Sequence, residues 1–119
     1  MEELQSDRQI YVQQVIGLYC RTPGTPSRAN RGDRDLAAQL HQRRVPLSAI
    51  KAALLLATAR RTLRAPDAPR LQPVRSFYYF QPVIDEVLDT PLDPGYVQYL
   101  RNKLRKHGIL PEGREETKP

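Results

Sequence analysis

The sequence predicts an all-α protein: a single compact bundle of about five helices around a buried central helix. Three observations carry this. The first is the stretch from Ser48 to Arg64, whose side chains are small or aliphatic almost all the way round before it turns abruptly basic. Alanine and leucine are the best helix formers, and a helix apolar on every side belongs inside a bundle. The second is that other segments carry apolar residues at helical spacing, and no run alternates with a period of two. The third is the set of proline- and glycine-bearing breaks that separates those segments. A chain of 119 residues has room for one domain with a modest core. That domain is placed at 1–110, with 111–119 as a flexible polar tail.

The first helix is expected from about Asp7 to Cys20. Val12, Val15, Ile16 and Tyr19 form its apolar stripe, and Ser6 is a possible N-cap. The run from Arg21 to Ser27, with Pro23, Gly24 and Pro26, ends it and opens a loop reaching Gly32. Loops of that length in small domains are often functional or disordered. Asp33, Arg34 and Asp35 open the second helix, because acidic residues suit a first turn. Leu36, Ala37 and Leu40 form its inner face. Val45-Pro46-Leu47-Ser48 is a tight corner, in which Pro46 starts the central helix or Ser48 caps it.

Prolines 66, 69 and 73 punctuate the following linker. Ser76 is then an N-cap for a helix led by Phe77-Tyr78-Tyr79-Phe80. Pro82 either kinks that helix or starts a new one after a single aromatic turn. Phe80, Val83, Ile84, Val87 and Leu88 make its core stripe. Asp93-Pro94 reads as an N-cap with proline at the first helical position. Val97, Leu100 and Leu104 face inward on the last helix, and Gly108 closes it with Ile109 folding back onto the last turn.

Net charge is +6, which favours an anionic partner, nucleic acid above all. The charge is uneven. Residues 21–45 carry six arginines against two acids, 46–75 six bases against one acid, and 96–110 four bases and no acid, whereas 76–95 hold four acids and no base. Arginine dominates, and its planar fork suits phosphate. The nucleic-acid-binding candidates are therefore Arg28 and Arg31 in the long loop, Arg60, Arg61 and Arg64 in the last turns of the central helix, and Arg75. Arg101, Lys103, Arg105 and Lys106 on the last helix complete the basic set. Tyr78 is added because an exposed tyrosine beside Arg75 can stack on an unpaired base. If the last helix docks along the central one, Arg60, Arg61 and Arg64 should lie beside Arg101 and Arg105. Each also has a plain structural reading: cations at a helix C-terminus, a solvated face, an aromatic edge packing the domain.

No catalytic constellation is present, so the chain is not read as an enzyme. Asp85, Glu86 and Asp89 lie close on one helix, but a solvated acidic face or a bridge to a neighbour's arginines explains them better than Mg²⁺ does. Cys20, His41 and His107 are a poor zinc set, and no cofactor is expected. The single cysteine, Cys20, cannot form an intrachain disulfide and reads as a buried, inert thiol. No apolar run is long enough to span a membrane, and the acidic start is not a signal peptide, so a cytoplasmic location is expected.

The order of elements carries a resemblance. Asp35-Leu36-Ala37, with Leu40, leads to the corner Arg44-Val45-Pro46-Leu47-Ser48-Ala49-Ile50 and the alanine-rich helix, then a proline linker and an aromatic-led helix. Over roughly Ile10 to Leu88 this resembles the DnaD-like helical domain of bacterial replication-initiation proteins. The resemblance implies a nucleic-acid-binding accessory module, DNA more than RNA, for replication of a chromosome or mobile element, as part of a larger replication or mobile-element protein assembly. That family's tyrosine-containing DNA-contacting motif has no clean counterpart, because Ser76 to Phe80 is followed by Pro82. The alternative is a helical protein–protein adaptor using the aromatic run 77–80 and the acidic stretch 85–93. A helix-turn-helix regulator over Asp33 to Arg64 fails, because Ala52 to Ala57 present nothing to base edges.

Overall fold

The computed structural model describes residues 2–111. Five α-helices and one 3₁₀ turn occur among them, and no strand: α1 (Glu2–Arg21), α2 (Arg31–Gln42), α3 (Leu47–Thr62), the 3₁₀ turn (Phe77–Phe80), α4 (Gln81–Asp89) and α5 (Pro94–Lys106). The all-α bundle is what the periodicity predicts. In α3 every residue from Ala52 to Ala59 is buried. The helix is enclosed by α1 on one side and by α4 and α5 on others. Alanines let those neighbours approach closely, while Ile50, Leu54, Leu55 and Leu56 fill the space between. Buried residues from all five helices and the 3₁₀ turn join in one core.

Several boundaries differ from the sequence expectation. Helix α1 starts at Glu2 rather than Asp7, so Ser6 lies inside it and is not its cap. Helix α2 begins at Arg31, two residues earlier than expected. Asn30 is its N-cap, accepting the Asp33 N–H at 2.8 Å, while the Asp33 carboxylate accepts the Asn30 N–H at 3.0 Å. This reciprocal box replaces a start driven by the dipole alone. At the next corner Pro46 takes the cap position of α3, and Ser48 lies within the helix. Helix α3 ends at Thr62, which leaves Arg64 beyond it rather than in its last turn. The expected tail at 111–119 falls outside the described residues except for Pro111.

The aromatic run resolves in favour of a separate turn. Phe77–Phe80 is a 3₁₀ segment, capped by the Ser76 hydroxyl accepting from Tyr78 N–H, and Pro82 sits in the first turn of a new helix. Proline there costs no hydrogen bond, because first-turn N–H groups have no intrahelical partner. Phe77 and Phe80 are fully buried against Tyr19, with ring centroids 5.1 and 6.0 Å from it. Helix α5 is capped by Asp93. It closes with Gly108 at φ 74°, where Gly108 N–H bonds to the Arg105 carbonyl and Ile109 N–H to the Leu104 carbonyl. That 5→2 and 6→1 pair is the Schellman motif.

The loop after α1 is built rather than loose. The Thr25 hydroxyl bonds to the Tyr19 and Thr22 carbonyls at 2.7 and 2.6 Å. Gly24, at φ 84°, accepts the Val74 N–H at 3.0 Å, which ties this loop to the proline linker. No helix among the described residues is long and apolar enough to cross a membrane.

Candidate nucleic-acid interface

The arginines at the end of α3 lie at the surface and bond to neighbouring parts of the fold. Arg60 makes two hydrogen bonds to Glu86, at 2.8 and 2.6 Å. These hold the Glu86 carboxyl below its usual range and the Arg60 guanidinium above its own. Arg61 donates to the Tyr79 hydroxyl at 3.0 Å and the Gln72 carbonyl at 2.8 Å, with its guanidinium carbon 5.2 Å from the Tyr79 ring centroid. Arg64 donates to the Pro69 carbonyl at 2.6 Å. Arg61 and Arg64 therefore tether the linker that follows α3, and Arg60 fastens α3 to α4.

The hydrogen bonds of Arg60, Arg61 and Arg64 go to α4 and to residues 69–79, not to α5. Arg101 is half-buried and lines a groove with Lys51 and Arg21. Lys51 lies about two and a half helical turns before Arg60, which puts the two on opposite sides of α3. Arg105 is half-buried.

Arg28, Arg31 and Arg75 are exposed, as is Tyr78. Their two segments are joined by one buried group. The Asp33 carboxylate, 1% exposed, accepts the Phe77 N–H at 2.9 Å while also closing the α2 box. The first turn of α2, with Arg31, is thereby held against the aromatic turn, with Arg75 and Tyr78 beside it. Tyr79 is exposed too, but its ring and hydroxyl are engaged by Arg61.

Helix α5 presents the other basic surface. Val97, Leu100 and Leu104 turn inward as expected. Tyr96, Tyr99, Lys103 and Lys106, spaced three, four and three apart, lie on one side of the helix, with Lys103 half-buried and the other three exposed. Tyr96 and Tyr99 are stacked, with centroids 6.0 Å apart and planes 22° from parallel. Lys103 Nζ lies 5.6 Å from the Tyr99 centroid and 3.3 Å from its hydroxyl. Neither lysine meets a carboxylate among the described residues. Lys103 and Lys106 are among the candidates expected from charge, whereas Tyr96 and Tyr99 are not. Their signal was in the sequence: aromatic residues one turn apart and off the core stripe, followed by lysines on the same side.

The acidic stretch is largely committed within the fold. Asp85 pairs with Arg43 at 3.1 Å and Glu86 with Arg60. Beside it runs an apolar groove of about 600 Å³ between α3, the α4–α5 connection and α5, floored by Ala49, Ala52, Val87, Leu92 and Val97. Cys20 is half-buried rather than buried. Burial first, and the Asp33 charge second, push its thiol up. Among the described residues no group of His, Cys, Asp or Glu is placed to hold a metal ion.

No family model, curated protein or solved structure matches the chain.

Proposed function

We propose that this protein is a nucleic-acid-binding accessory module whose contacts go mostly to phosphates, with little sequence preference. The observation that carries the reading is the outer side of α5, where Lys103 and Lys106 follow two exposed tyrosines on a helix with no acidic residue. Lysines near phosphates supply salt-dependent affinity, and exposed rings accept bases. Arg28, Arg31 and Arg75, with the exposed Tyr78, add three further exposed cations and one more exposed ring. DNA rather than RNA, and a role in bacterial replication of a chromosome or mobile element, rest on the resemblance to the DnaD-like domain.

Anisotropy titrations with a labelled oligonucleotide at about 50 and 200 mM salt test it, since phosphate-dominated binding falls steeply across that range. Replacing Lys103 and Lys106 by alanine should weaken binding to all sequences and lower the salt slope by about two units. No binding at the lower salt, or a double variant that binds like the parent, rejects the assignment to α5. A second reading, the protein adaptor, is favoured by the apolar groove that includes Val87 and Leu92. It draws less support from the acidic stretch, because Asp85 and Glu86 already have arginine partners.

A further inference from the structure

We propose that the outer side of α5 is a base-stacking platform that selects unpaired nucleic acid over duplex. This rests on the nucleic-acid reading above and adds strand selectivity to it. Tyr96 and Tyr99 are 44% and 53% exposed, although each carries a large apolar ring. Neither belongs to the core, because the inward side of α5 is occupied by Val97, Leu100 and Leu104. The two rings are near-parallel, with centroids 6.0 Å apart, on the same side of α5.

Lys103 holds its ammonium at the edge of Tyr99, and Asn102, Lys106 and His107 complete a shallow cavity of about 330 Å³ beside that ring. A base laid on the rings would thus have its own phosphate within reach of cations on the next turn. Duplex offers such a surface only phosphates and groove edges, since its base faces are covered by their neighbours. A single strand offers base faces and phosphates together, and stacking on an aromatic side chain accepts any base. The tyrosines therefore add affinity for single strands alone, while the lysines serve both forms.

The chain has six tyrosines and no tryptophan, so tyrosine emission reports ring stacking without an indole signal. Titration of the full chain with oligothymidine, with its duplex with oligoadenosine, and with oligouridine should give quenching by the two single strands. Affinity for oligothymidine should exceed that for duplex by about tenfold or more. The Tyr96→Leu, Tyr99→Leu variant should lose that preference and keep its duplex affinity. Tyr96→Phe, Tyr99→Phe should retain the preference, because phenylalanine keeps the ring face. Oligothymidine and oligouridine bound alike indicate reading of base faces alone, and a preference between them identifies which strand is the ligand. Equal affinity of the parent for single strand and duplex, or a leucine variant that keeps the preference, overturns the proposal and leaves the phosphate reading standing. Binding to none of the three at low salt overturns both.

Discussion

Arg44 holds a left-handed backbone, φ 62°, where the chain leaves α2. The Arg44 N–H bonds to the His41 carbonyl and the Val45 N–H to the Leu40 carbonyl, so a Schellman closure is built on a residue with a Cβ. A non-glycine residue there costs roughly 1–2 kcal/mol. Arg44→Gly should therefore stabilise the protein by about 1 kcal/mol, offset in part by the greater freedom of glycine when unfolded. The urea midpoint should rise with its slope unchanged. Asp33 is the opposite case, a buried carboxylate that accepts from Asn30 and Phe77 in two different segments. Asp33→Ala leaves both N–H groups without their acceptor and should cost about 1.5–3 kcal/mol, the range for hydrogen bonds to a charged group. Asp33→Asn keeps one acceptor oxygen and should cost less in the same measurement.

Helix α3 shows how small side chains set the spacing of a bundle. Ala53 is fully buried. Ala53→Leu would force its neighbours apart, and overpacking of this kind costs typically about 1–3 kcal/mol. A thermal melt by circular dichroism should show the loss, while Lys51→Ala, on the exposed side of the same helix, should stay within about half a kcal/mol of the parent. The linker between α3 and the aromatic turn makes a different point. It has no regular structure between Leu63 and Ser76 and is held by Arg61, Arg64 and the Gly24–Val74 bond. Arg61→Ala with Arg64→Ala should free it with little change in the bundle. Trypsin cleavage after the exposed Arg70 should then be faster than in the parent, whereas far-ultraviolet dichroism should be unchanged.

At the scale of the whole bundle, stability should fall at alkaline pH. Burial pushes the Tyr11 and Tyr19 hydroxyls up to about 12, and for Tyr19 the Asp33 charge adds to it. Both titrate near 10 in an unfolded chain. The folded state prefers the neutral phenols, so their contribution is complete below about pH 10 and is lost as pH rises toward about 12. Tyr11 joins α1 to the corner before α3 through a 2.7 Å bond to the Val45 carbonyl, and Tyr19 packs on Phe77 and Phe80. Melting temperature should decline between about pH 10 and 12. A flat profile through that window would contradict the burial of these two groups.

Most of the bundle was legible from local chemistry. Ala52 to Ala59 had to be enclosed, Asp93-Pro94 and Ser76 had to start helical turns, and Leu36, Ala37 and Leu40 had to face inward. Propensity, capping and periodicity act within one or two turns of chain, so a reader of residues alone can apply them. The basic surface was legible only in part. Arg60, Arg61 and Arg64 are flexible cations whose partners lie 5–26 residues away, at Glu86, Gln72, Tyr79 and Pro69. Charge summed along the sequence cannot tell a cation that meets a phosphate from one that meets the fold itself. Among the described residues Lys103 and Lys106 meet no carboxylate, and Lys103 contacts its own helix neighbour Tyr99 instead. Asp33 reaches Phe77 across 44 residues because α2 and the aromatic turn pack together. Helices and their caps follow from short-range energetics. Which long side chains remain available to a partner depends on which elements packing brings within their reach.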